Sequence, residues 1–148
     1  ASSNRMRCRK CAKTWVKWPP SMRWFSAEVS LRVAAIMGAL AVIAGAFGGH
    51  ALDRLLSPSD MAVYQTAVKY HFWHTLALLA LGFGQIRHDN VWLQRSASLF
   101  ALGIVLFCGS LYLLALSGVR SLGIITPFGG FAFIVGWLCI LPAAKKKG

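Results

Sequence analysis

Four long stretches of the chain contain no charged residue, and this feature constrains the fold more than any other. They are 20, 17, 24 and 24 residues long and lie at Val33–Leu52, Tyr70–Ile86, Ser96–Val119 and Ser121–Ala144. A helix needs about 20 residues to cross the roughly 30 Å hydrocarbon core of a bilayer, within a range of about 17–25. The sequence therefore predicts an all-α integral membrane four-helix bundle, with spans at about 31–52, 68–86, 96–117 and 122–142.

Composition and motif content argue against a soluble protein and against an enzyme. Of the 148 residues, 57% are apolar and 14% charged, whereas soluble domains carry about 25% charged residues. The chain has no Ser/His/acid set, no acidic pair within a span and no phosphate-binding loop, so we expect no catalytic site and no cofactor. Cys8 and Cys11 have the spacing of half a zinc site, but Cys108 and Cys139 lie within predicted spans and cannot complete it. No metal site is predicted.

The net charge of +12 lies mainly near the ends of the chain. Eight of the sixteen Lys and Arg residues precede Val33, and three more form the run Lys145–Lys147. Basic segments that flank membrane spans attract anionic headgroups, by about 1 kcal/mol for each Lys or Arg near the surface. We therefore expect membrane lipids as partners near the basic termini, and no nucleic acid.

The distribution of basic residues between loops predicts the orientation. With the N-terminus inside, the inside segments carry thirteen Lys and Arg and the outside loops carry three; without residues 1–21 the counts are seven and three. Because positively charged loops stay in the cytoplasm, we expect a multi-pass protein of the bacterial inner membrane with both termini cytoplasmic. The alternative is the mitochondrial inner membrane, with both termini in the matrix.

The chain divides into residues 1–21 and a four-span membrane domain at 22–148. The first part is basic, contains no acid and ends at Pro19 and Pro20. It is interpreted as a basic N-terminal arm or an extension upstream of a start at Met22. A mitochondrial presequence, which is also Arg-rich and poor in acids, is the less favoured alternative.

A helix start precedes the second span. Ser57 has the position of an N-cap, Pro58 that of N1 and Asp60 that of an acidic N3 residue. Apolar and aromatic residues then recur at helical spacing, at Met61, Tyr64, Val68 and Phe72. We expect a short interfacial amphipathic helix near 59–69, on the outer surface between spans 1 and 2. Further along, Gly118 is expected to end the third span, and Pro127 to lie within the first turns of the fourth.

Small residues on the first span predict close helix packing. Gly38, Gly45 and Gly49 lie on a stripe of small residues, which lets another helix approach closely in lipid. The stripe would pack against a neighbouring span of the same chain. Self-association or contact with another membrane-protein subunit is the alternative.

Polar side chains are expected to meet near the outer ends of the spans. We expect the His50 and His74 side chains to lie in contact or to be bridged by one water, because both residues lie near the outer end of the hairpin that the first two spans form. The cluster would tie the helices together by hydrogen bonds, or form a pocket for a small molecule, a lipid headgroup or a proton. Its members are His50, His74, Ser110, Tyr112, Thr126 and Pro127.

The same segments carry a family resemblance. Four motifs follow one another at Gly45–Leu52 (GAFGGHAL), Tyr70–Leu79, Gly109–Tyr112 (GSLY) and Ile125–Gly130 (ITPFGG). Together they resemble the domain-of-unknown-function 423 family, whose eukaryotic relatives are called transmembrane protein 256. The resemblance implies a small four-span inner-membrane protein and assigns no activity. Two positions depart from the family pattern: Gly49 stands where alanine is frequent, and His71 where a different polar residue is expected.

These observations favour a structural or accessory subunit that packs against a larger inner-membrane complex, such as a respiratory or other energy-transducing one. A glycine-lined first span, a basic arm, no catalytic set and very little chain outside the membrane all favour that role. The alternative is a binding or transport protein that uses the outer polar cluster as its site.

Overall fold

The computed structural model describes residues 25–88 and 90–144, and this part of the chain is helical and contains no strand. The predicted all-α fold is confirmed. The basic arm at 1–21 and the run Lys145–Lys147 lie outside the described residues. The helices are α1 (Ala27–Phe47), α2 (Pro58–Arg87), α3 (Val91–Gly103), α4 (Gly109–Ser117), α5 (Thr126–Leu138) and α6 (Ile140–Ala143).

Wider or tighter turns extend several of these helices. A π turn at Gly48–Leu52 continues α1, a second π turn at Ile104–Cys108 joins α3 to α4, and a 3-10 turn at Arg120–Ile124 precedes α5. Three segments of the described chain are thereby long and apolar enough to cross a membrane: Ala27–Leu52, Val91–Ser117 and Arg120–Ala143. They correspond to the predicted first, third and fourth spans.

The helices begin earlier than the uncharged stretches indicated, because polar side chains cap them. The Ser26 hydroxyl accepts a hydrogen bond from the Val29 backbone N–H at the start of α1. At the start of α3, Asn90 Oδ1 accepts one from the Trp92 backbone N–H at 2.9 Å. Such caps satisfy N–H groups that have no partner within the helix, so charged residues in the first turn are tolerated.

The predicted interfacial helix near 59–69 is not a separate element. It is the first part of α2, which runs without a break for 30 residues. The predicted start is confirmed, since the Ser57 hydroxyl accepts a hydrogen bond from the Asp60 backbone N–H at 3.2 Å and Pro58 follows it. The helix continues because its buried residues keep one helical phase, from Met61 and Tyr64 through His71 to Leu78.

Helix α2 lies at the centre of the packing. It contacts α1, α3 and α4, and α3 in turn packs against α5. The main core lies between α2, α3 and α5. Its largest fully buried residues include Phe100, Leu78 and Cys108. Helix α1 packs mainly against α2, so that most of its large apolar side chains face outward.

Two residues near helix ends lie where the sequence indicated. Gly118 ends α4 as predicted, with a φ of 71° that favours glycine. Pro127 occupies the first turn of α5, as predicted, and the residues before it form the 3-10 turn. Proline is favoured at that position, because the N–H that it lacks would have no partner within the helix.

The predicted packing glycines lie on the α1·α2 seam, the contact between these two helices, but not all of them face α2. A Cβ placed on Gly38 would lie 3.6 Å from the Thr75 methyl, and one on Gly45 would lie 3.7 Å from Val68 Cγ1. Gly49 faces open space, in contrast to the prediction. Gly48 makes the close approach instead, since its Cβ would lie 2.8 Å from the Tyr64 ring. The π turn that begins at Gly48 changes which glycine faces α2.

A second glycine seam, between the α3–α4 segment and α5, was not predicted. A Cβ on Gly129 would lie 2.7 Å from Phe107 Cα, one on Gly136 2.7 Å from the Phe100 ring, and one on Gly103 2.5 Å from the Phe133 ring. Each distance is shorter than any real Cβ contact. Only glycine therefore permits this approach, which we call the α3·α5 seam.

Candidate functional site

One turn of α2 contains three buried polar side chains, His71, His74 and Thr75, which we call the α2 polar turn. Their exposed fractions are 5%, 6% and 3%. Polar groups buried in a membrane bundle cost free energy unless they are paired. The partners of these three side chains therefore indicate what the turn can do.

Both ring nitrogens of His74 are occupied. The Trp137 indole N–H, which is a donor only, donates to Nε2 at 3.4 Å. Nε2 is therefore the acceptor and Nδ1 carries the proton, which Nδ1 donates to the Tyr70 carbonyl at 2.9 Å. This pairing fixes a neutral tautomer and leaves no nitrogen lone pair for a metal or an external donor.

Aromatic side chains from three helices enclose the same imidazole. The Phe133 ring of α5 stacks on it with centroids 3.5 Å apart, and Phe100 of α3 meets it edge-on at 5.4 Å. Tyr70, one turn earlier on α2, stacks at 5.9 Å. His74 therefore acts as a polar connection between α2 and α5 inside an aromatic core.

His71 is different, because one of its nitrogens has no partner. Its Nδ1 lies 3.3 Å from the Tyr112 hydroxyl, whereas its buried Nε2 has no hydrogen-bond partner among the described residues. The same holds for the Thr75 hydroxyl, one turn further along α2. Within the α2 polar turn, these are the two atoms that could still form a hydrogen bond with another group.

Tyr112 also contributes to the connection between α2 and α4. Its ring lies 5.1 Å from the Tyr64 ring at a tilt of 58°. Tyr64 in turn donates its hydroxyl proton to the Ala44 carbonyl at 2.8 Å. A tyrosine pair thus links α1, α2 and α4 near the end where α1 and α2 join.

Ser110 and Thr126 meet, as their positions in the sequence suggested. Their hydroxyl oxygens are 2.9 Å apart, and the Ser110 O–H also reaches the Phe107 carbonyl at 3.0 Å. If Ser110 donates to that carbonyl, Thr126 is the donor to Ser110. Pro127 follows Thr126 at the start of α5, so this pair joins the beginning of α5 to the end of the π turn.

His50 does not join this arrangement, which corrects the expected contact with His74. His50 is exposed, and no hydrogen bond or ring contact within the described chain links it to His74. The pairs Gly48–Tyr64, Gly45–Val68 and Gly38–Thr75 set an antiparallel register. At 1.5 Å per residue, that register places His74 about 16 Å further along the bundle than His50. The reason is that α2 begins at Pro58, well before the predicted second span.

The predicted cluster is thus resolved into separate pairs: His71 with Tyr112, Ser110 with Thr126, and His74 with Trp137. No three His, Cys, Asp or Glu side chains converge as metal ligands within residues 25–88 and 90–144. Two open grooves, of about 210 and 450 Å³, lie on the outside of the bundle, and neither is lined by the α2 polar turn.

Several residues that form the site were not singled out from the sequence. Tyr64 was read only as part of an apolar stripe, and nothing in the sequence pairs Trp137 with His74 across 63 positions. A signal did exist for the α3·α5 seam. Gly129, Ala132 and Gly136 recur at spacings of three and four, the same pattern that drew attention to α1.

Comparison with known proteins gives the family of this chain. The family model for proteins of unknown function, DUF423, matches residues 44–130, which reach from the end of α1 into α5. The chain belongs to the DUF423 family. The resemblance found in its four motifs is therefore confirmed.

Named relatives extend the match over most of the chain. The UPF0382 inner membrane protein YgdD of Escherichia coli K12 is 43% identical over 118 residues, covering 78% of this chain and 90% of its own length. The UPF0382 membrane protein YwdK of Bacillus subtilis is 40% identical over 120 residues, covering 80% and 98%. No solved structure matches the chain. Relatives of this chain are membrane proteins, in agreement with its three apolar segments.

Proposed function

We propose that this protein is a non-catalytic subunit of the bacterial inner membrane, crosses the membrane four times, and packs against a larger membrane complex. An energy-transducing complex, such as a respiratory one, is the host class we propose. Relatives named as inner membrane proteins support the location. The observation that carries the structural role is that most of the buried polar side chains join one helix to another.

The crossing of α2 follows from its neighbours. Three segments have the length and hydropathy of membrane spans, and α2 connects the first of them to the second. The connections at 53–57 and 88–90 are short, so α2 must return the chain across the bilayer between them. Its histidines and Gln85 lower its own hydropathy, but all three face the protein interior.

Both termini are proposed to be cytoplasmic, because that orientation would place thirteen basic residues inside and three outside. The test is thiol labelling of Arg120→Cys in a chain whose four native cysteines are replaced by serine. We expect the thiol to react with an impermeant reagent from the periplasmic side, and a matched Arg87→Cys variant to react only from the cytoplasmic side. Reaction of Arg120→Cys from the cytoplasmic side alone would show that the orientation is wrong.

Hydrogen bonds between helices support a structural role for the buried polar residues. Ser30 of α1 donates to Gln85 Oε1 of α2 at 3.0 Å, and Gln85 donates to the Leu93 carbonyl of α3 at 3.2 Å. Ser96 of α3 donates to the Gly136 carbonyl of α5 at 2.8 Å. With His74 joined to Trp137, such bonds connect all the long helices.

The outward face of α1 is the surface proposed to meet a partner. Only 17% of the apolar part of Ala27–Leu52 is buried, against 39% for Val91–Ser117 and 22% for Arg120–Ala143. Large side chains are exposed along this face, at Ile36, Leu40, Ile43 and Phe47. A helix that packs on one side only leaves its other side to lipid or to another protein.

The test of the accessory role is purification of the full chain in mild detergent, followed by mass spectrometry and sizing. We expect a stoichiometric complex that is lost when Ile36 and Ile43 are both replaced by alanine. A matched double variant of exposed α5 residues, Phe131→Ala with Ile134→Ala, should keep it. Recovery of the unmodified protein only as a free monomer or homo-oligomer would overturn the proposal.

A second candidate function is the binding or transport of a small molecule, a lipid headgroup or a proton. It is favoured by the unpaired His71 Nε2 and Thr75 hydroxyl. In vesicles that contain the purified protein, this function would give uptake or proton movement that His71→Phe abolishes while His74 and its partners stay in place. Unchanged transport in His71→Phe, or none in the unmodified protein, would eliminate this candidate.

A further inference from the structure

The smaller groove lies between α1 and α2 and has one basic residue in its wall. Its volume is about 210 Å³. One side is formed by Gly45 of α1 and by Gly48 and Gly49 of the π turn that continues α1. The other side is lined by Gln65 and Lys69 of α2. Gln65 and Lys69 are four residues apart and therefore lie on one face of the helix. Both are exposed.

Lys69 has no partner of opposite charge within the described chain. Glu28 pairs with Arg32, and Asp60 pairs with Arg120 at 2.9 Å. Asp53 does not reach Lys69 either. The contacts between α1 and α2 place Lys69 beside Ala44, and Asp53 lies nine residues beyond Ala44, about 13 Å further along the axis. No acidic side chain of the described residues therefore balances the charge of Lys69, which leaves its ammonium available to an anion.

The depth of Lys69 suits a headgroup contact. Arg120, which is exposed and pairs with the partly buried Asp60, marks the surface end of α2. Lys69 lies nine residues after Asp60, about 14 Å along the helix. A lysine extends its apolar stem toward the headgroups when it lies below them. The absence of side chains at Gly45 and Gly49 leaves room for that stem, and Gln65 lies one turn nearer the surface.

We propose that this groove binds the headgroup of an anionic phospholipid. The Lys69 ammonium and the Gln65 amide N–H groups would donate to the phosphate oxygens, and one acyl chain would lie along Val68 and the glycines of α1. A phosphate accepts charge-assisted hydrogen bonds from a cation, which are the stronger ones. The Lys69 charge favours an anionic headgroup over phosphatidylcholine, whose phosphate is already balanced by its own choline cation. This site rests on the proposed crossing of α1 and α2, and it is independent of the accessory role.

The test uses purified protein in vesicles of phosphatidylcholine that contain a minor fraction of phosphatidylglycerol. Lipid retained after extraction is counted by native mass spectrometry. We expect Lys69→Gln to reduce retained phosphatidylglycerol about tenfold, the effect of losing one charge-assisted hydrogen bond. Arg54→Gln removes the same charge from the nearby loop and should leave retention within about twofold.

A second pair of variants tests the groove rather than the charge. Gly49→Leu fills the groove without a clash, because a Cβ there has no atom within 4 Å. It should reduce retention as strongly as Lys69→Gln. Gly109→Leu is the matched control, since its Cβ is equally free and it lines the larger groove instead. Lys69→Gln and Arg54→Gln should leave helicity and thermal midpoint unchanged, and the two Gly→Leu variants should not lower either of them, because leucine favours a helix over glycine.

Two outcomes would overturn the lipid site. Equal losses in Lys69→Gln and Arg54→Gln, with normal retention in Gly49→Leu, would show diffuse attraction to positive charge. Full retention in Lys69→Gln, with loss of a co-purifying membrane protein, would show that the groove holds a partner's carboxylate. Because the vesicles contain no partner, failure of the accessory role does not affect this measurement. A wrong topology would be detected separately, by labelling of Arg120→Cys.

Discussion

The α1·α2 and α3·α5 seams are both lined by glycine, but they pack in different ways. On the α1·α2 seam, a methyl group at Gly38 or Gly45 would make an ordinary contact, at 3.6 or 3.7 Å, and the atoms nearest to Gly48 and Gly82 belong to the Tyr64 and Leu31 side chains. On the α3·α5 seam, a methyl group at Gly129 or Gly136 would overlap Phe107 or Phe100. The comparison teaches that a stripe of small residues does not by itself indicate a tight contact, since the residue on the facing helix determines it.

The two seams also differ in where their hydrogen bonds lie. The α3·α5 seam has a buried bond at 2.8 Å from Ser96 to the Gly136 carbonyl and a second contact at 2.9 Å between Ser110 and Thr126. The α1·α2 seam is bonded at its two ends, through Ser30 and Tyr64. Between them lies Thr75, whose hydroxyl has no partner in the described chain. We infer that the α3·α5 seam tolerates least change at Gly129, where the facing atoms are backbone, and that the α1·α2 seam tolerates more at Gly38 and Gly45.

The largest expected effect is that of Gly129→Ala. Its Cβ would meet backbone atoms of Phe107, which cannot move aside as a flexible side chain can. We expect the free energy of unfolding to fall by about 3 kcal/mol, at the upper end of overpacking costs. Gly130→Ala is the matched control, because its Cβ would meet only the Phe107 ring at 3.7 Å. Unfolding in mixed micelles measures both, and equal stability of the two variants would refute the tight seam.

The next effect is expected from Ser96→Ala. The carbonyl of the buried Gly136 would lose its side-chain donor, the fully buried Ser96 hydroxyl. We expect a loss of roughly 1–2 kcal/mol, in the range of interhelical hydrogen bonds in membranes. Ser98→Ala is the control, because the Ser98 hydroxyl bonds only to the Gln94 carbonyl of its own helix. A loss of stability in Ser98→Ala as large as that in Ser96→Ala would argue against a specific contribution of the α3·α5 bond.

Thr75→Val is expected to act in the opposite direction. The valine keeps the methyl group that faces Gly38 and removes a buried hydroxyl without a partner. We expect a gain of about 1 kcal/mol, because an unsatisfied buried polar group is costly. Thr66→Val should give no gain, since the Thr66 hydroxyl already donates to the Ala62 carbonyl at 2.9 Å. A loss of stability in Thr75→Val would indicate a bound polar group at the α2 polar turn and favour the second candidate function.

The smallest effect is expected from Gly45→Ala. The added methyl group meets Val68 at an ordinary distance, and alanine favours the helix over glycine by roughly 0.5–1 kcal/mol. We therefore expect a small rise in the thermal midpoint in detergent, with the helical content unchanged. A fall in the midpoint would show that the α1·α2 seam is as tight as the α3·α5 seam.

The sequence predicted those features of the fold that depend on local chemistry. Uncharged stretches indicated the apolar helices, Ser57 indicated the start of α2, and Gly118 the end of α4. The residues near 59–69 were expected to form a short interfacial helix, because the polar residues between Pro58 and Lys69 resemble those of a surface helix; they are the first part of one 30-residue helix.

The site was predictable only in part, because it depends on register. Ser110 and Thr126 meet since each lies near the same connection between helices. His50 and His74 do not meet, because the length of α2 before His74 sets their separation. Trp137 donates to His74 although no local pattern relates them. A single sequence contains no direct record of which residues face each other across a seam.

The π turn at Ile104–Cys108 has a consequence for how this chain is aligned with its relatives. Such a turn holds one residue more than an α-helical turn, and one residue rotates a helix by about 100°. Ser110 and the other side chains after the turn therefore point in directions that differ from those of an uninterrupted α-helix. Removing one residue between 104 and 108 would leave an unbroken helix and turn Ser110 away from Thr126. At this place in the chain, the number of residues determines which side chains face inward, and the loss of one residue there would rotate all of the helix that follows.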